Sequence, residues 1–358
     1  MLSSSSKSSS SSDQRIISFS INKKEIIEKF PPSFFSKNKV FLYSLHSDQL
    51  DYEGDLIYSR FKARTRPKAY KKEVAEDQVC EVIVSSDGFK YDEKLKVGEE
   101  NAKHWYLNFA DERLFIAWKG QLFAQDEIQV CEHPILGSLC EYLRKESLND
   151  ARYSPITQQT SPTPVLIQNV DRRIAVNVKD YNIYGNNFAK ASTDIIEQAT
   201  TVLDMKTNRK SNILAISAPR GGHGEYKLGE VNFIFDTLYS GFKACCMDTE
   251  MYAQDPENPP TVVIHTGNFG CGAFGNNREL IAILQILAAR MAGIKYLYYH
   301  AFSEEGVKSV KKAIKVIDEE FDLVCKDPSD IEGNLVSLNK LFDMILQKGY
   351  KWGFSDGN

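Results

Sequence analysis

The sequence predicts an α/β fold: a sandwich around a largely parallel central sheet, with an N-terminal accessory segment. Two observations carry this. Val165–Val170, Asn212–Ser217, Thr261–Ile264 and Lys295–Phe302 are mostly apolar runs, the pattern of strands covered on both faces. Between such runs lie stretches with apolar residues at helical spacing, so strands and helices alternate.

The chain has 358 residues, of which 42% are hydrophobic. That suits one large domain with additions and an ample core. A net charge of −4 gives no overall basic field, so no direct nucleic-acid binding is expected. The seven cysteines show no CxxC pair and no Cys/His ladder at zinc spacing, so no metal and no cofactor are expected. No apolar run approaches the roughly 20 residues of a membrane span. No membrane partner is expected, and the thiols are expected to be reduced in a cytoplasmic protein.

Residues 1–13 are almost all serine and are expected to form a disordered tail without the apolar core of a signal peptide. Residues 14–98 are expected to be an accessory segment packed on the main domain. Within it Lys39–Ser44 and Val79–Val84 read as strands. Arg60–Lys72 is basic with Phe61 and Tyr70 interleaved, a composition that suits an anionic ligand or RNA. Acidic Asp48, Asp51, Glu53 and Asp55 sit just upstream, and a charged loop is the simpler reading.

Residues 99–358 are expected to form the main domain. His104–Asp111 reads as a strand from its aromatic content. Ile128, Cys131, Ile135 and Leu139 then fall at helical spacing, with Pro134 placed to split the helix. Asp126 and Glu127 stand at the helix start, where the dipole favours carboxylates. Val165–Val170 and Ile174–Val178 read as strands, followed by an Asn/Gly-rich turn over Asp180–Phe188. Asn212–Ser217 is a buried strand, Arg220–Gly224 a flexible loop, and Val231–Cys246 an amphipathic helix. Helices at Glu304–Phe321 and Leu338–Leu346 follow the strand at Lys295–Phe302.

The main domain is organised around Thr261–Asn277. A β-branched strand opens it after Pro259-Pro260, a loop follows with Gly267, Gly270, Gly272 and Gly275, and a helix starts at Asn276 or Asn277. Glycines let backbone N–H groups approach an anion, and a helix start adds partial positive charge. The loop holds no lysine, which argues against a P-loop triphosphatase, and its glycine spacing misses the dinucleotide-binding fingerprint. Taken alone, the glycines fit a phosphate cradle or a tight strand-to-helix turn about equally well.

The wording of the loop adds to this. Thr266-Gly-Asn-Phe-Gly-Cys-Gly-Ala-Phe-Gly275 closely resembles the loop of poly(ADP-ribose) glycohydrolases, Thr-Gly-Asn-Trp-Gly-Cys-Gly-Ala-Phe-Gly-Gly, with Phe269 in place of Trp and Asn276 in place of Gly. The resemblance implies a macrodomain-like three-layer α/β/α sandwich, with Gly267, Asn268, Phe269, Gly270, Cys271, Gly272, Ala273 and Phe274 around the diphosphate of ADP-ribose. It extends to a second motif. Phe109-Ala110 and Gln125-Asp126-Glu127 resemble the family's Asp-Phe-Ala-Asn strand end and Gln-Glu-Glu. Glu127 takes the place of the catalytic glutamate, Asp126 that of the neighbour that binds ribose hydroxyls, and Gln125 completes the triplet. Asn108 and Asp111 occupy the family's Asp and Asn positions with their chemistry exchanged. Phe115-Ile116-Ala117 replaces a glycine triplet, whose close backbone approach these side chains do not allow. Phe302 or Tyr299 is implied to border the adenosine, and Tyr184 or Phe188 to stack on adenine, although core packing is the simpler reading for the last two.

The expectation is an ADP-ribosyl glycohydrolase. Its partners would be ADP-ribose and ADP-ribosylated protein, and it would release ADP-ribose by breaking the anomeric bond of the distal ribose. The replaced glycine triplet tilts the expectation toward a single ADP-ribose on a protein side chain, arginine being plausible, over poly(ADP-ribose). A catalytically silent ADP-ribose reader is the alternative, against which the paired acids argue.

Overall fold

The computed structural model of the protein describes residues 14–47, 52–72, 80–91, 101–204, 210–325 and 329–355. The serine-rich tail expected over residues 1–13, with Asp48, Asp51 and Val79, lies outside them. In chain order the first elements are β1 (Arg15–Asn22), α1 (Lys23–Lys29), α2 (Lys37–Ser44), β2 (Asp55–Phe61), β3 (Ala69–Lys71), β4 (Glu81–Ser85) and β5 (Ala102–Ala110). Next come α3 (Gln125–Glu132), α4 (Ile135–Glu146), β6 (Val165–Asp171), β7 (Ile174–Val176), α5 (Thr193–Ala199), β8 (Thr200–Val202) and β9 (Lys210–Ser217). The last are α6 (Leu228–Met251), β10 (Thr261–Gly267), α7 (Arg278–Ala292), β11 (Tyr296–His300), α8 (Glu304–Glu320), β12 (Leu335–Ser337) and α9 (Leu338–Leu346).

The fold is α/β, with both parallel and antiparallel strand pairing. The described chain forms two compact units. The first holds residues 14–62 and 110–215, the second residues 63–109 and 216–355. In the first unit β1, β2, β6 and β9 pair antiparallel in that order. Helices α3 and α4 pack against β7 and β6, burying Val130, Leu136, Leu139 and Leu143. Pro134 separates the two helices, as its missing N–H requires.

In the second unit β5, β10, β11 and β4 pair parallel in that order. Their carboxyl ends therefore lie at one end of these paired strands. Helix α7 is buried almost all round, with Leu280, Ile283, Leu284 and Leu287 inside, and packs between α6 and α8. Asn277 caps α7, its Oδ1 accepting from the N–H groups of Glu279 and Leu280 at 3.1 Å each. Gly293 ends it in a left-handed turn with φ 84°.

One expectation is corrected. Lys39–Ser44 lies in helix α2, not a strand: Ser36 caps it by accepting from Lys39 N, and Lys39 and Leu42 turn inward at helical spacing. The described residues of the segment 14–98 fall in both units, with β1 and β2 in the first and β4 in the second. The basic run divides too. Arg60 is a buried member of β2, Arg66 pairs with Asp236 at 2.8 Å, and Lys72 pairs with Asp322 at 3.1 Å. These three cations of the run are thus engaged within the protein, Arg60 through the Ser154 carbonyl oxygen at 2.5 Å.

Candidate active site

In the first unit, Asp126 and Glu127 occupy the opening turn of α3, and both are buried. Glu127 Oε2 accepts the Ala124 N–H at 3.0 Å, so the carboxyl caps its own helix. Burial raises the proton affinity of Glu127 above the usual carboxylate range. The Lys39 ammonium opposes that rise, as does backbone hydrogen bonding at Glu127 and Ala124. Sequence reasoning missed Lys39. It is wholly buried, donates to the Trp118 carbonyl oxygen at 2.9 Å and lies 5.9 Å from the centre of the Phe123 ring. Its pKa is lowered by burial and held up by Cys131, Glu127 and Asp126. Gln125 begins the helix and is half-buried. Asp111 accepts from Arg113 N at 3.0 Å at the turn after β5.

The replaced glycine triplet keeps a glycine-like backbone at its first position. Phe115 has φ 55°, a left-handed conformation that costs a side-chain-bearing residue about 1–3 kcal/mol. Its ring is wholly buried in the core, and Ile116 is 39% exposed. The bulk expected to obstruct the backbone is therefore turned inward at Phe115. Phe188 stacks on Phe123 with ring centres 3.9 Å apart, so its place is in the core.

In the second unit the glycine-rich loop follows β10. Gln285 of α7 fixes the strand end. It accepts from Thr266 Oγ1 and donates to the Gly267 carbonyl oxygen at 3.0 Å. Gly267 has no room for a side chain: a Cβ there would lie 2.5 Å from the His300 carbonyl oxygen. Asn268 donates to the Ala301 carbonyl oxygen at 2.9 Å, which ties the loop to the end of β11. Phe269 is buried and meets Phe109 edge-on at 5.8 Å. Gly270, at φ 68°, packs so closely on Ala218 that a Cβ would collide.

The backbone donors of this loop divide into two sets. Phe269, Cys271, Gly275 and Asn276 spend their N–H groups on carbonyl oxygens within the loop, at 2.7, 3.0, 3.0 and 3.0 Å. Among the described residues, the N–H groups of Gly270, Gly272, Ala273 and Phe274 meet no acceptor. A short loop with four unspent donors beside a helix start suits an anion. Asn108, on β5, is buried, and Phe302 follows β11 half-buried with φ 63°. Tyr299 is buried with its hydroxyl accepting from Gln285 Nε2 at 3.3 Å, whereas Phe302 is only half-buried. His300 is packed, hydrogen-bonded through His265 Nδ1 at 3.0 Å and edge-on to Phe89.

A strap that sequence reasoning also missed runs past this loop. Trp352 stacks on Tyr226 with ring centres 4.6 Å apart. Tyr226 donates to Asn276 Oδ1 at 3.2 Å and accepts from Asn277 N at 2.9 Å. Gly222, in the expected flexible loop, is needed beside the Trp352 ring, where a Cβ would collide. No short motif marks these contacts in the sequence.

Residues 167–309 match the family model described as Poly (ADP-ribose) glycohydrolase (PARG), Macro domain fold. The curated relative named probable poly(ADP-ribose) glycohydrolase 2, from Arabidopsis thaliana, is 27% identical over 165 residues. That alignment covers 38% of this chain and 31% of the relative, so the chain spans less than a third of that protein. The solved poly(ADP-ribose) glycohydrolase of Thermomonospora curvata is 12% identical with a TM-score of 0.46, covering 81% of this chain and 96% of that one. The Deinococcus radiodurans poly(ADP-ribose) glycohydrolase, solved in complex with ADP-ribose, is 12% identical with a TM-score of 0.40, covering 70% and 94%. Over residues 167–309 the chain is thus poly(ADP-ribose) glycohydrolase-like. That stretch contains the glycine-rich loop and Phe302, and leaves out Gln125-Asp126-Glu127.

Proposed function

We propose that this chain is an ADP-ribosyl glycohydrolase. The observation that carries the reading is the set of four unspent backbone donors in the glycine-rich loop, inside the stretch that matches the glycohydrolase family model. In this reading Gly267, Asn268, Phe269, Gly270, Cys271, Gly272, Ala273 and Phe274 cradle the diphosphate. Phe302 borders the adenosine, and Gln125, Asn108 and Asp111 contribute polar contacts. Asp126 holds ribose hydroxyls.

Glu127 supplies the proton. The anomeric bond of the distal ribose breaks with oxocarbenium character, the bonding pair leaves with the departing atom, and Glu127 protonates that atom. The resulting carboxylate then takes a proton from the water that adds to the anomeric carbon, which restores the acid. The raised proton affinity of Glu127 suits the first step. The substrate we favour is ADP-ribose on a single arginine side chain, with poly(ADP-ribose) the competing substrate. Isothermal titration with ADP-ribose and with AMP tests the binding half: ADP-ribose is expected to bind more tightly. No binding of ADP-ribose at millimolar concentration would remove the reading.

A specific observation favours the second reading, a silent ADP-ribose reader. Glu127 Oε2 is already engaged in capping α3. Incubation with ADP-ribosylated protein separates the two, because a reader releases no ADP-ribose.

A further inference from the structure

The strap after α9 carries an inference that rests on the ADP-ribose reading above. Gly353 N donates to the Gly275 carbonyl oxygen at 2.8 Å, and Ser355 Oγ donates to the Ala273 carbonyl oxygen at 2.6 Å. Between these two anchors stands Phe354, which is 98% exposed. The approach depends on Gly275: a Cβ there would lie 3.2 Å from Ser355 N and 3.3 Å from the Phe354 carbonyl carbon. Isolated exposed apolar residues are ordinary. This one has its backbone fixed on both sides, so the ring is held beside the loop without being packed on anything.

The two ends of the loop have different neighbours. The Gly267–Asn268 end lies against the end of β11, through Asn268 and Ala301, next to Phe302, the residue assigned to the adenosine. The Ala273–Gly275 end is the strapped one. A ligand laid along the loop with adenosine toward Phe302 turns its distal ribose toward Ala273–Gly275. Whatever is joined to that ribose then faces Phe354. We propose that Phe354 is a binding residue for the group attached to the distal ribose, and that this group is the guanidinium of an arginine side chain. A guanidinium stacks on an aromatic face and is attracted by its quadrupole, and the exposed ring has its faces open. The strap lies outside residues 167–309, so this contact is separate from the stretch shared with the family model.

Phe354→Ala removes a ring that supports no packing and leaves both anchoring hydrogen bonds in place. The test titrates ADP-ribose, an ADP-ribosyl-arginine peptide and poly(ADP-ribose) into proteins with and without this change. Both carry Glu127→Gln so that the peptide persists. ADP-ribose is expected to bind both alike, whereas the peptide is expected to lose about two- to fivefold in affinity in Phe354→Ala. Phe354→Trp is expected to retain it. Failure of ADP-ribose to bind either protein removes the underlying reading. Normal ADP-ribose binding with equal peptide affinity overturns the Phe354 assignment alone. An equal loss on both ligands would put the ring on the nucleotide, and a loss confined to poly(ADP-ribose) would put an adenine there. Either result overturns the arginine assignment.

Discussion

Lys39 and Glu127 come from separate helices of one unit, and their charges act on each other. The ammonium opposes the rise in proton affinity that burial gives the carboxyl. Lys39→Met keeps an unbranched side chain and removes that charge. A carboxyl acting as proton donor loses activity as pH rises through its pKa. The alkaline limb of the rate profile is therefore expected to move to higher pH in Lys39→Met. An unmoved limb, with turnover retained, would show that Lys39 does not tune the catalytic group.

The loop is expected to couple ligand binding to stability. With ADP-ribose at about a hundredfold over its dissociation constant, unfolding free energy is expected to rise by about 2.7 kcal/mol. Gly272→Val is expected to reduce that gain, because a side chain beside an unspent N–H blocks close approach of an anion. Thermal melts of both proteins with and without ADP-ribose read the difference directly. Equal stabilisation in the two would take Gly272 out of the cradle.

Acid stability follows from the buried histidines. Burial pushes His46 and His300 down to about 4 and His133 down to about 3. His265, hydrogen-bonded to His104 at 2.8 Å and to His300 at 3.0 Å, is lowered well below its usual value. These groups stay neutral in the fold, whereas the unfolded chain takes up their protons near pH 6.5. Their contribution is fully present above pH 6.5 and is lost as pH falls, through about 4 for His46 and His300 and about 3 for His133. The expected slope is about 1.4 kcal/mol per pH unit for each histidine. Denaturant melts between pH 7 and pH 4 check this, and a flat stability across that range would contradict it.

Much of the second unit was legible in the sequence because its strands are apolar runs and its glycine-rich loop is a long, specific motif. Thr261–Gly267 and Tyr296–His300 are strands within a residue or a few of expectation. The first unit was less legible, because buried charges disguise its elements. Lys39 occupies a core-facing helical position, so Lys39–Ser44 looked like a strand next to a charge. Arg60 is buried in β2 and made that strand look like the start of a basic loop. Glu127 stood out at a helix start, but its electrostatic partner came from α2, and no local pattern links the two. The strap through Trp352 and Phe354 was invisible for the same reason: its contacts join residues distant in sequence.

Asp126 and Glu127 are expected to fail differently when altered. Asp126→Asn keeps shape and loses charge, so both turnover and ADP-ribose affinity are expected to fall, because its proposed task is to hold ribose hydroxyls. Steady-state kinetics beside isothermal titration separates the two effects. Unchanged ADP-ribose affinity in Asp126→Asn would leave that carboxylate as a helix-start charge.

The central claim is that Glu127 moves the proton, and release of ADP-ribose by purified Glu127→Gln protein tests it most directly. Gln keeps the size and one acceptor oxygen for the Ala124 N–H, so the fold is expected to persist, and it has no proton to give. Release from ADP-ribosylated arginine substrate is expected to fall by roughly 10²- to 10⁴-fold, with ADP-ribose affinity nearly unchanged. Wild-type release by Glu127→Gln would contradict the assignment and direct the search to Asp111, the carboxylate at the end of β5.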